Sequence, residues 1–148
     1  ADIEHYQTVF AKHRGSVAAP TAGLHFTDAL LDRVRGKGVY MGEVTLHVGI
    51  GTFRPIQVEQ LDDHTMHEEW GSLDEVTCTA INQRRQGGGR CIAVGTTTVR
   101  VLESAARAGQ GLNPWQGETD IFIRPPFQFQ AGDGLIWCWQ GLHDGMMA

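Results

Sequence analysis

Cys91-Ile92-Ala93-Val94-Gly95-Thr96-Thr97-Thr98-Val99-Arg100-Val101-Leu102-Glu103-Ser104-Ala105-Ala106 decides the fold class. Its first four residues are a short apolar run, which predicts a buried strand over residues 90–95. Gly95 breaks that strand and three threonines follow. Val99, Leu102 and Ala106 then share one helical face, and Gly109 and Gly111 stop the helix. A second apolar run occupies residues 119–124. Strand, helix, strand at this spacing predicts a β-α-β unit with parallel pairing, and hence an α/β fold.

Moving outward toward the N-terminus, residues 72–75 (Ser-Leu-Asp-Glu) read as a capping box, with Ser72 as the cap and Glu75 three residues on. Leu73, Val76, Ala80 and Ile81 give the helix that follows an apolar stripe, and Gly87-Gly88-Gly89 ends it. Residues 39–48 read as a strand: Val44, Leu46 and Val48 point one way, Thr45 and His47 the other. The strand runs into Gly49-Ile50-Gly51-Thr52-Phe53. The third glycine of a dinucleotide-binding fingerprint would fall at Arg54, so that reading fails. An extended segment then continues through Val58. Residues 27–35 read as a helix capped by Thr27, with Leu30, Leu31 and Val34 on one face and Gly36 and Gly38 as the stop. Before it lies a rigid small-residue loop, Ala18-Ala19-Pro20-Thr21-Ala22-Gly23-Leu24-His25-Phe26. Here Pro20 removes a donor, Gly23 frees the backbone, and His25 alone titrates. A short helix is expected within residues 4–12.

The 148 residues suit one domain, and no linker or repeat divides them. Hydrophobic residues make up 41% and charged residues 20%, as in ordinary globular proteins, while nineteen glycines predict many turns and close approaches. A net charge of −5 without a basic patch gives no positive sign of nucleic-acid binding. Three well-separated cysteines (Cys78, Cys91, Cys138) argue against a disulfide framework and fit a reducing cytoplasm. No apolar run reaches the ~18 residues of a membrane span. The N-terminus resembles no signal peptide, and its lack of Met suggests a fragment.

Chemistry concentrates in three places. At Gly95-Thr96-Thr97-Thr98 a strand end meets a helix start, where free N–H groups and the dipole favour an anion such as phosphate or carboxylate. Arg100 in that first turn opposes the dipole preference and so needs a reason: a bidentate contact to the anion, or a pair with Glu103. His25, His47, His64 and His67 are the second group. With Glu68 and Glu69 near the last two, they suggest a metal only weakly, because H-x-x-H lacks a defined third ligand. Acid–base work needs only one or two imidazoles. Third, Cys91 and Cys138 lie in apolar surroundings that keep a thiol protonated. A serine-hydrolase reading fails for want of a G-x-S-x-G elbow.

Four stretches taken together resemble a known family. They are residues 6–11 (Tyr-Gln-Thr-Val-Phe-Ala), 15–26 (Gly-Ser-Val-Ala-Ala-Pro-Thr-Ala-Gly-Leu-His-Phe), 44–55 (Val-Thr-Leu-His-Val-Gly-Ile-Gly-Thr-Phe-Arg-Pro) and 94–105 (Val-Gly-Thr-Thr-Thr-Val-Arg-Val-Leu-Glu-Ser-Ala). His64-x-Met66-His67-x-Glu69 and Asp120-Ile121-Phe122-Ile123-x-Pro125 fall in the expected order. The chain thereby resembles the S-adenosylmethionine:tRNA ribosyltransferase-isomerases of queuosine biosynthesis over about residues 6–136. The resemblance implies a mixed sheet with flanking helices inside a larger barrel-like enzyme domain. It implies ribosyl transfer from S-adenosylmethionine to 7-aminomethyl-7-deazaguanine in tRNA, with isomerisation to epoxyqueuosine and release of adenine and methionine.

No metal or separate cofactor is implied; S-adenosylmethionine is a substrate. His25, His47 and His67 become the proton-transfer candidates. Pro20, Thr21, Gly23, Phe26, Thr45, Gly49, Gly51, Thr52, Gly95, Thr96, Thr97, Arg100 and Glu103 become the candidate substrate contacts. The expected partners are S-adenosylmethionine and tRNA, in the cytoplasm, with a monomer favoured. Family members carry a substantial region before the equivalent of Tyr6, and the pattern is lost after Ile136. Arg124-Pro125-Pro126 replaces the family's Tyr-Pro-Gly. Two other readings stand beside this one: a non-catalytic nucleoside- or tRNA-binding module, and a metal-dependent hydrolase.

Overall fold

The computed structural model describes residue 9 and residues 21–48 and 69–137. The expected helix within 4–12, the extended segment through Val58 and the His64/His67 cluster lie outside the described residues, as does Cys138.

The described part begins with a 3-10 turn, Thr21–His25, followed by helix α1, Asp28–Arg35. Thr27 caps α1 by accepting from the Leu30 N–H at 3.2 Å. Its Leu31 is buried and Leu30 and Val34 half-buried, as the apolar spacing requires. Gly38, at φ +78°, turns the chain away in a conformation most residues avoid.

The expected strand over 39–48 shrinks to β1, Thr45–His47. Val39 is exposed, whereas Val44, just before β1, still packs against the core. β1 pairs antiparallel with β2, Glu69–Leu73, which pairs antiparallel with β4, Trp115–Thr119. Apolar alternation did not reveal β2, because its inward positions are Glu69, Gly71 and Leu73 while Trp70 points outward. Gly71 is where the sheet meets its helix. A Cβ there would stand 3.1 Å from Trp115, 3.2 Å from Leu46 and 3.3 Å from Val101.

Helix α2, Glu75–Gln86, is capped by Asp74, whose carboxylate accepts from the Thr77 N–H at 2.7 Å. Ser72 is a β2 residue, so the expected capping box is displaced by two positions. The stripe shifts with it: Thr77 and Cys78 are buried, whereas Val76 is 72% exposed. Asn82 donates to the Leu112 carbonyl at 2.8 Å and ties α2 to the following loop. Gly87 and Gly88 end the helix as expected.

Strand β3, Ile92–Val94, and helix α3, Thr96–Ala108, match the reading of 91–106. The expected return strand does not. Residues 120–124 form no strand, and β3 instead pairs in parallel with β5, Gly134–Ile136. The β-α-β unit therefore closes some ten residues later, with β4 diverted into the antiparallel sheet. The class is α/β, with antiparallel and parallel pairings and flanking helices. α3 contacts β1, β2, β3 and β4, and Val99, Val101, Leu102, Ala105 and Ala106 anchor the core with Leu73, Cys78, Ala93 and Leu112.

Candidate functional site

Two predicted ligand-facing segments, about seventy residues apart in sequence, meet in the fold. The 3-10 turn buries Ala22 and Gly23, and its exit is closed by the Phe26 N–H donating to the Gly23 carbonyl at 3.2 Å. Ala22 lies against Gly95: a Cβ at Gly95 would stand 3.7 Å from the Ala22 Cβ. Gly95 is buried at φ +86° and N-caps α3 without a side-chain hydrogen bond. The first N–H groups of a helix have no partner within it. Thr98 turns its hydroxyl back onto the Val94 carbonyl at 2.7 Å, while Thr96 is exposed and Thr97 half-buried. Thr21 and Phe26 are half-buried and His25 is exposed.

Below it lies a buried ion pair. Arg100 Nη1 donates to Glu69 Oε2, with Glu69 inside the sheet at 2% exposure and Arg100 at 9%. Arg100 Nε and Nη2 are buried and donate to nothing among the described residues. A buried donor left unsatisfied costs about 1–3 kcal/mol, so two on one guanidinium are conspicuous. The expected Arg100–Glu103 pair does not form. Glu103, fully buried, turns to the loop before β5: its carboxylate accepts from the N–H of Gln130 at 2.9 Å, Ala131 at 3.0 Å and Gly132 at 3.3 Å. It thus clamps that loop. Ser104 and Thr119 join α3 to β4 through a 2.6 Å hydroxyl contact.

His47 sits elsewhere. Leu46 packs into the core, so alternation sends His47 and Thr45 to the outer sheet face, opposite α3 and Arg100. There the His47 imidazole is tilted against Trp70, ring centroids 5.3 Å apart, with Trp70 40% exposed. The register aligns His47, Trp70 and Glu118 in one row across the sheet. The fold thus packs the Ala22 turn against Gly95 at the start of α3 and sets His47 on the outer face of the antiparallel sheet. Pro20, Gly49, Gly51, Thr52 and His67 lie outside the described residues.

Glu69, singled out in the sequence only as a metal candidate, is engaged by Arg100. No group of three His, Cys, Asp or Glu side chains suited to a metal occurs among the described residues. Burial pushes the Cys78 thiol above its usual range, and burial with the Asp133 charge does the same for Cys91. Both are therefore poor nucleophiles at neutral pH. No described helix is long and apolar enough to cross a membrane. The signal for Arg100 was visible in the sequence as a cation opposing a helix dipole. The signal for Glu69 was not, since its partner is 31 positions away.

A profile of the family described as "Queuosine biosynthesis protein" matches residues 1–140. The chain is 54% identical over 135 residues to the S-adenosylmethionine:tRNA ribosyltransferase-isomerase of Geotalea uraniireducens, covering 91% of this chain and 39% of that one. It is 56% identical over 135 residues to the protein of the same name from Legionella pneumophila, covering 91% of this chain and 40% of the relative. Its fold is similar to the crystal structure of S-adenosylmethionine tRNA ribosyltransferase from Thermotoga maritima, with TM-score 0.59 and 39% identity over 77% of this chain and 34% of that chain. The chain thus spans about two-fifths of the length of these curated relatives.

Proposed function

The chain belongs to the queuosine biosynthesis protein family, and from that premise we propose that it carries the substrate-facing part of a ribosyl transfer from S-adenosylmethionine to tRNA. The acceptor is the aminomethyl group of 7-aminomethyl-7-deazaguanine, and the product is epoxyqueuosine. The observation that carries the reading is the packing of Ala22, three residues before His25, against Gly95 at the start of α3. Small side chains there let a nucleoside approach the backbone.

The chemistry needs proton transfers. The sulfonium acidifies the ribose 5′ carbon, and a base removes a proton from it. Adenine departs more readily when an acid protonates it. The acceptor amine attacks only when neutral. His25, in the turn whose Ala22 packs against Gly95, is the first candidate for these transfers, and His67 is a further candidate. His47 ranks lower, because it shares the outer sheet face with Trp70. No metal or redox cofactor is required, and the tRNA substrate assigns the reaction to the cytoplasm.

Adenine release from S-adenosylmethionine, with and without the tRNA, tests the proposal. H25N is expected to lower it by roughly 100-fold or more, within the range of general acid–base catalysis, and H47N by less. Undiminished release with all of His25, His47 and His67 replaced would overturn the assignment. A second reading is a nucleoside- or tRNA-binding module without turnover. Binding of S-adenosylmethionine without adenine release would select it.

A further inference from the structure

Arg100 has five N–H groups in one plane. Nη1 is spent on Glu69. The two nitrogens left without acceptors among the described residues are Nε and Nη2. They form one side of the guanidinium, and their N–H bonds run parallel in a fork whose spacing matches two oxygens of one carboxylate or phosphate. Glu69 lies at 0% side-chain exposure within β2 and fixes the guanidinium from one side. Natural folds rarely leave buried donors unmet, so two on one buried guanidinium call for an acceptor.

We propose that the Arg100 Nε/Nη2 edge is a bidentate site for a two-oxygen anion, with Glu69 as the positioning residue that orients it. This deepens the reading above, on which it rests for its probes. Glu69 offsets the arginine's charge, so specificity comes from the fork's shape more than from net charge. The Arg100 side chain as a whole keeps 11% exposure, and it is carried by α3, whose start is at Gly95-Thr96-Thr97. Two sources share the chemistry: the α-carboxylate of the methionyl group, and a phosphate of the RNA.

The test removes the carboxylate from the ligand and the fork from the protein. Calorimetric titration of the 148-residue chain compares S-adenosylmethionine with its decarboxylated analogue, for wild type, R100K, E69Q and E69A. R100K keeps the charge and loses the fork. In the carboxylate arm, decarboxylation weakens wild-type binding roughly 10- to 100-fold and R100K binding hardly at all. E69Q, which still accepts from Nη1, keeps the wild-type ratio, and E69A loses it. In the phosphate arm, inorganic phosphate binds wild type and not R100K, with the decarboxylation ratio equal in both. Either arm supports the fork. Equal ratios together with phosphate binding indifferent to R100K overturn it. Because ligand and protein are altered independently, a destabilised variant cannot imitate this pattern. If adenine is released while both arms are flat, the fork fails and the ribosyl-transfer reading stands. If adenine is not released and phosphate binding still depends on Arg100, the reverse holds.

Discussion

Glu103 illustrates how a single residue's role is set by what it accepts. One buried carboxylate receives three consecutive backbone N–H groups, at residues 130, 131 and 132. Those groups lie in a loop outside any strand ladder, and the carboxylate meets them without an ion pair among the described residues. Glu103→Gln keeps the shape and replaces one acceptor oxygen with a donor facing a donor. It is expected to lower stability by about 1.5–3 kcal/mol, read as a shift in the urea midpoint at unchanged slope. The Cys78 thiol sets a second residue-scale expectation. Burial raises its folded pKa, so the unfolded chain releases this proton first as pH rises. Its contribution is full below the ordinary thiol pKa of about 8.5 and is lost as pH climbs toward the raised folded value. Urea midpoints measured from pH 7 to 10 are expected to fall more steeply for wild type than for Cys78→Ala, and parallel profiles would refute the assignment.

At the scale of elements, the two candidate caps of α2 give a clean contrast. Asp74 accepts from the Thr77 N–H at 2.7 Å, whereas Ser72 belongs to β2. Asp74→Ala is expected to cost about 1 kcal/mol and Ser72→Ala under about 0.5 kcal/mol, by chemical denaturation. Gly71 tests the sheet–helix contact: an alanine methyl meets Trp115, Leu46 and Val101 at 3.1–3.3 Å on three sides, so Gly71→Ala is expected to cost about 1–3 kcal/mol through overpacking. The extents of α1, α2 and α3 were legible because caps, stripes and glycine stops are local signals. β2 was hidden because its buried positions hold Glu69 and Gly71, residues that alternation scores as polar or neutral. The partner of β3 was hidden because pairing over some forty residues leaves no local trace, and the apolar run at 119–124 offered a nearer decoy. The site divides the same way. Arg100 announced itself by opposing a helix dipole, but Glu69 and the true partners of Glu103 arise only from tertiary contact.

Over the whole molecule, the two sheets differ in how well they are covered. The antiparallel sheet has α3 on its inner face. The parallel pair β3–β5 leaves Ile92 at 43%, Leu135 at 46%, Ile136 at 48% and Trp137 at 60% exposure. Leu135 and Ile136 are neighbours on one strand and point to opposite faces, so β5 presents apolar surface on both sides. Exposed apolar side chains on both faces of a strand attract dyes and other apolar surfaces. The 148-residue chain is therefore expected to bind an anilinonaphthalene dye in its folded state and to associate as its concentration rises. Changing Leu135 and Ile136 together to lysine leaves the ladder intact, since Ile136 joins the Gly95 N–H through its backbone carbonyl at 3.0 Å. That double variant is expected to lose most of the dye emission and to sediment as a single species across the same concentrations. The urea midpoint separates this outcome from unfolding, because exposed substitutions shift stability by only about 0.5 kcal/mol each. Equal dye binding by both proteins at equal stability would mean that the apolar surface lies elsewhere, and that β5 is not the open edge of this fold.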